Sequence, residues 1–209
     1  MKIVVFCGCF NPPTLAHKFI MEDAMSIVNS DLGVYVPSSD AYVKRKLKKG
    51  KYTFDMLFDF DIRKDMLEAQ SGNTDKIVVS RVEENLSASG HTLETLLTLR
   101  EQYNAEVYFV TGLDNLEFMT KWSTFDRILT EFKIIAFDRG ISIRAVFRNE
   151  LLAKYRDRII LAELDSVASG ISSTLARQKV LSNESLDGVC DKRVEDIMVN
   201  YVHGRRRHV

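Results

Sequence analysis

The chain of 209 residues carries three cysteines, one tryptophan and no surplus of either charge, and each scarcity removes a class of protein. Cys7, Cys9 and Cys190 are too few, and odd in number, for a disulfide framework, and they suit a reducing compartment. Cys7 and Cys9 form a C-x-C pair with no second cysteine pair or nearby histidines, which is poor zinc spacing. They read as small packing residues, and no metal held by the protein is expected. Lys+Arg and Asp+Glu are equal at 29 each, so no global field draws the chain onto nucleic acid or an anionic membrane. Met1-Lys2 leads into only about six apolar residues, too short for a signal peptide's apolar region or a membrane span. The expected location is the cytoplasm.

Internal repeats, low-complexity blocks and Pro/Gly linkers are also missing. Apolar residues at 45% and charged residues at 28% give the balance of a globular protein. At this length a single domain over residues 1–209 is expected, with a helical part from about 171 to 203 packed on it.

Short β-branched runs alternate with longer stretches of helical period. The expected strands are Lys2–Cys7, Leu32–Val36, Lys76–Ser80, Glu106–Thr111, Lys133–Phe137 and Arg158–Ala162. The expected helices are Ala16–Val28, Phe54–Ala69, Thr92–Tyr103, Phe125–Glu131, Ser173–Leu181 and Lys192–Val202. Nearly continuous apolar strands need burial on both faces. The fold class is therefore α/β: a Rossmann-like open parallel sheet of five to six strands with helices on both faces. Two basic stretches read at first as solvated: the run from Lys44 to Lys51 as a loop, and Gly204 to His208 as a frayed tail.

In such sheets ligands bind beyond the carboxyl ends of the strands, where the winding direction reverses. "CGCFNPPTLAH", residues 7 to 17, lies at one of these ends, and it lacks the dinucleotide fingerprint G-x-G-x-x-G. Gly8 permits close backbone approach, the prolines stiffen the loop, and Thr14 is a candidate N-cap with His17 in the first turn. A helix start offers unpaired N–H groups and positive dipole charge to an anion, and the imidazole adds a donor. "SGISSTLARQKV", residues 169 to 180, puts Ser172, Ser173 and Thr174 at a second helix start with Arg177 a turn on, a set suited to polyphosphate.

These segments resemble a known family. "CGCFNPPTLAH" resembles the nucleotidyltransferase signature G-x-F-(D/N)-P-x-(H/T)-x-x-H, and "ISSTLAR" resembles the I-S-S-T-x-x-R of nicotinamide/nicotinate mononucleotide adenylyltransferases. "DAYVKRKL", "HTLETL" and "TGLDNLEFMTKW" match further segments, so the resemblance covers most of the chain. It implies transfer of the AMP part of ATP to nicotinamide or nicotinate mononucleotide, forming NAD or its deamido form and releasing pyrophosphate. Catalytic roles fall to His17, Arg177 and Lys44, with Mg²⁺ entering through the ATP phosphates. ATP would be held by Gly8, Cys9, Phe10, Thr14, His17, Gly112, Asp114, Ile171, Ser172, Ser173, Thr174 and Arg177. The mononucleotide would meet Phe10, Asn11, Thr92, Arg139 and Trp122, the indole stacking on the pyridine ring.

Cys7, Cys9, Thr14 and Ala16 depart from the usual bacterial residues, and the Cys-Gly pair and the threonine resemble the eukaryotic form, while "HTLETL" lies nearer the bacterial form, so acid and amide substrates both stay open. The partners implied are these nucleotides, without nucleic acid or membrane, and a homo-oligomer is possible. Two alternatives stand beside this reading: a nucleotidyltransferase for phosphopantetheine or a polyol phosphate, and a non-catalytic sensor of NAD or ATP.

Overall fold

The computed structural model describes residues 1–49, 56–72, 74–85, 92–138 and 146–206. Six strands form one sheet: β1 (Lys2–Gly8), β2 (Leu32–Pro37), β3 (Ile77–Val79), β4 (Glu106–Gly112), β5 (Lys133–Asp138) and β6 (Ile159–Glu163). Their spatial order is β3-β2-β1-β4-β5-β6, and every pairing is parallel. The expected α/β class and six strands are therefore observed, with ends shifted by a residue or so.

Period-two alternation decides what each face buries. Ile3 and Val5 of β1 join one apolar cluster and Val4 and Phe6 another, so the central strand has no solvent side. The first cluster is covered by α5 (Thr92–Tyr103), α6 (Leu113–Met119) and α7 (Phe125–Glu131), through Leu96, Leu116 and Ile128. The second is covered by α1 (Leu15–Val28) and α3 (Phe60–Ser71), through Ile20, Met21 and Leu67. A third cluster lies outside these two helices. There α10 (Ser173–Leu181) and α11 (Lys192–Arg206) bury Ala176, Val180, Val194 and Met198 against Ala16, Phe58 and Met66. Short helices α4 (Val82–Asn85), α8 (Glu150–Lys154) and α9 (Ser166–Ser169) complete the frame. Among the described residues no helix is long and apolar enough to cross a membrane.

Three sequence expectations need correction. Most of the basic run is helical: Asp40–Lys48 forms helix α2, with Ser39 Oγ accepting from the Tyr42 N–H at 3.3 Å and Val43 buried beneath it, while Gly50 and Lys51 lie outside the described residues. Arg45 and Lys46 lie over the Tyr42 ring at 5.3 and 5.1 Å, which gives two like charges a local partner. The helix expected from Phe54 starts at Phe60, since Asn11 grips Met56 and Phe58 in a non-helical path; Phe54 and Asp55 lie outside the described residues. The last helix carries Gly204, Arg205 and Arg206 within it, beyond the expected end at Val202, while 207–209 lie outside the described residues.

Candidate active site

The order 3-2-1-4-5-6 reverses its winding between β1 and β4, whose carboxyl ends are Gly8 and Gly112. Residues 9–14 leave β1 and enter α1 at its N-cap, Thr14. The Thr14 N–H donates to His17 Nδ1 at 3.0 Å, and Thr14 Oγ1 lies 2.9 Å from the same nitrogen. A backbone N–H can only donate, so Nδ1 accepts and the neutral ring carries its proton on Nε2. Phe10 turns its ring inward, 5.1 Å from the His17 ring and 5.3 Å from Phe6, with its backbone at φ +48°. A Cβ at Gly8 would come within 3.1 Å of that ring, which explains glycine there.

The second helix start reaches the same loop. Ser173 Oγ donates to Pro12 O at 2.7 Å, and Arg177 Nη1 donates to Asn11 O at 2.8 Å. Arg177 is buried, and its Nη2 lies 3.2 Å from Thr174 Oγ1. Ser172 caps α10 by accepting from the Leu175 N–H at 3.1 Å, while Ser172 and Thr174 stay exposed beside buried Ile171. Residues some 160 apart in sequence thus meet at one turn.

A cleft of about 240 Å³ opens beside this loop, between the ends of β1, β2 and β4. Cys7, Gly8 and Cys9 line it with Ser38, Tyr42, Glu83, Thr92, Phe109, Asn115 and Trp122. Trp122 sits between α6 and α7, half-buried and edge-on to Phe118 at 6.5 Å. Burial pushes the Cys7 thiol well up and the Cys9 thiol to about 11, so both are neutral packing groups at the cleft wall. The same cause raises buried Glu83 to about 7, against hydrogen bonds from Thr95 and Ser38 and the charge of Arg63.

Asn11, Lys44, Gly112 and Asp114 stand outside the lining of this cleft. Asn11 is buried and spends its side chain on Met56 O (2.8 Å) and the Phe58 N–H (2.9 Å). Lys44 is exposed on α2, two residues and about 200° round the helix from cleft-lining Tyr42. Gly112 caps α6, where a Cβ would meet Asp114 Oδ1 at 2.5 Å, and Asp114 is exposed in the first turn. Arg139 and His91 lie outside the described residues. Among those residues no three His, Cys, Asp or Glu side chains gather to hold a metal ion.

Arg63, Gln70 and Glu83 are among the buried polar residues that escaped sequence reasoning. Arg63 and Gln70 fall on the same buried stripe of α3 as Phe60, Met66 and Leu67. An arginine on a core stripe is the signal that marks a bonded guanidinium. Glu83 had no such signal, since "VEEN" reads as an ordinary polar turn.

A parallel sheet, a switch-point cleft and a loop shared by two helix starts define an α/β nucleotidyltransferase architecture, and the chain belongs to the cytidylyltransferase-like family, whose model matches residues 5–179. Its relatives are narrower. A protein of Carboxydothermus hydrogenoformans described as "Probable nicotinate-nucleotide adenylyltransferase" is 30% identical over 183 residues, covering 86% of each chain. One of the same description from Clostridium tetani is 26% identical over 204 residues, covering 96% of this chain and 97% of its own. Plasmodium falciparum nicotinic acid mononucleotide adenylyltransferase complexed with NaAD superposes with a TM-score of 0.71, covering 96% of this chain and 95% of that one. At 20% identity that likeness shows the fold alone.

Proposed function

We propose that this chain is a nicotinate-nucleotide adenylyltransferase, acting as a single domain in the cytoplasm. The observation that carries the reading is the loop 9–14 held between two helix starts, by Ser173 on Pro12 and Arg177 on Asn11, at the switch point of the sheet. The names of the relatives favour the acid mononucleotide over the amide.

In this reaction a 5′-phosphate oxygen of the mononucleotide forms a bond to the α-phosphorus of ATP, and the bond from that phosphorus to the bridging oxygen breaks. The electron pair leaves with pyrophosphate. The attacking oxygen is already anionic, so no general base is needed and no covalent enzyme intermediate forms. The protein supplies alignment and charge neutralisation at the five-coordinate centre. The start of α1 and the Nε2–H of His17 face the α-phosphate; Ser172, Thr174 and the start of α10, with Arg177 behind it, receive the β- and γ-phosphates. The cleft lined by Trp122 and Thr92 takes the pyridine ring, and Asp114 accepts from a ribose hydroxyl. Magnesium belongs to the substrate, entering on the triphosphate.

The test is incubation with ATP and Mg²⁺ plus either mononucleotide, following pyrophosphate. Release with the nicotinate form, exceeding that with the nicotinamide form, is expected. Tight binding of ATP or dinucleotide without pyrophosphate release would identify a sensor instead.

A further inference from the structure

We propose that Arg63 is a positioning residue for this reaction, clamping the Cys9 carbonyl so that the following peptide N–H, that of Phe10, is presented to phosphate. The inference rests on the adenylyl-transfer reading above.

Arg63 lies fully buried on α3, far in sequence from both helix starts. Its Nε donates to Phe58 O at 3.0 Å and its Nη1 to Cys9 O at 2.8 Å. Its Nη2 donates to Ser38 O and to Asp40 Oδ1, each at 2.8 Å. One planar fork thus joins the loop after β1, the end of β2, the start of α2 and the strap before α3. A single ammonium cannot reach acceptors set in those directions.

The consequence for chemistry follows from the planar peptide. In a trans peptide the C=O and N–H point in opposite directions, so a carbonyl of Cys9 held on the α3 side turns the Phe10 N–H away from it. That N–H meets no backbone acceptor among the described residues. Phe10 is also left-handed at φ +48°, a conformation a bulky aromatic adopts only when its surroundings impose it. A left-handed residue in such a loop turns neighbouring N–H groups to one side, the backbone arrangement that holds anions. Arg177 fixes the carbonyl two residues further on, from the opposite helix. The loop is therefore aimed by two buried guanidinium groups, of which only Arg177 belongs to the polyphosphate motif.

A merely structural Arg63 would alter stability and leave turnover per folded molecule unchanged. The experiment makes Arg63→Lys, Arg63→Ala and Asp40→Asn in the full chain, checks folding by circular dichroism and thermal unfolding, and measures kcat and KM for both substrates. Arg63→Lys is expected to fold and to lose roughly 10- to 100-fold in kcat, the cost of a misaimed group, with the mononucleotide KM within about threefold. Arg63→Ala is expected to lose more and to recover several-fold in millimolar methylguanidinium, which leaves the parent enzyme unaffected. Asp40→Asn keeps all three carbonyl contacts and is expected to lose clearly less kcat than Arg63→Lys.

A folded Arg63→Lys with parental kcat overturns the proposal, as does an Asp40→Asn defect equal to that of Arg63→Lys. Failure of both Arg63 variants to fold makes the residue a stability element and also overturns it. An inert parent chain sinks the underlying reading and this proposal together, whereas an active parent with an equally active lysine variant sinks the proposal alone.

Discussion

His17 shows how a single residue is tuned by its immediate neighbours. The Thr14 N–H occupies Nδ1 at 3.0 Å, which sets the tautomer and the ring plane before any ligand arrives. Removing one oriented donor to a transition-state oxyanion typically costs 10²–10³ in turnover, so His17→Ala is expected to lower kcat by about that factor; steady-state pyrophosphate release measures it. In the adenylyl-transfer reading proposed above, Trp122 would stack on the pyridine ring in the ground state and the transition state alike. Its stacking on a cationic pyridinium is worth about 0.5–2 kcal/mol, so Trp122→Ala is expected to raise the mononucleotide KM roughly 2- to 30-fold with kcat nearly unchanged. Both residues were singled out in the sequence because each stands in a motif; the structure puts His17 in the first turn of α1 and Trp122 on the cleft wall. Asn11 was legible only as a motif letter, because its use by Met56 and Phe58 depends on a strap 45 residues away that periodicity does not reveal.

At the scale of elements, helices with an apolar stripe were readable, and Thr92–Tyr103, Phe125–Glu131 and Ser173–Leu181 fall where the pattern puts them. Helix α2 was not, since four basic residues mask one buried position, Val43, and one capping serine, Ser39. Helix α3 began late because side-chain hydrogen bonds outcompete helical ones at Met56 and Phe58. The docking of α11 was expected without its consequence: Met198 is buried in one cluster with Phe58, whose N–H holds Asn11. Met198→Ala is expected to cost about 2–5 kcal/mol, read as a lower denaturant midpoint with an unchanged m value.

At the scale of the whole molecule, the two faces of the sheet were predictable from strand composition, but the cleft floor was not, because it gathers residues from β1, α2, α4, α5 and β4. Glu83 is the titratable carboxyl in that floor, and burial raises it from 4.5 to about 7. The folded state therefore holds the Glu83 proton more tightly than the unfolded chain does. The resulting stability is fully present below about pH 4.5, declines as pH rises, and is gone once pH passes the folded value near 7. A raise of that size corresponds to roughly 3 kcal/mol across the window. Glu83→Gln removes the titration while keeping the shape and an acceptor for Thr95, which lies 3.4 Å from Oε1. Denaturant unfolding of both proteins at pH 5 and pH 8 cancels every other titrating group in the difference. The parent is expected to lose about 2–3 kcal/mol more than Glu83→Gln over that interval, and equal losses would mean that Glu83 ionises in the folded cleft as it does in water.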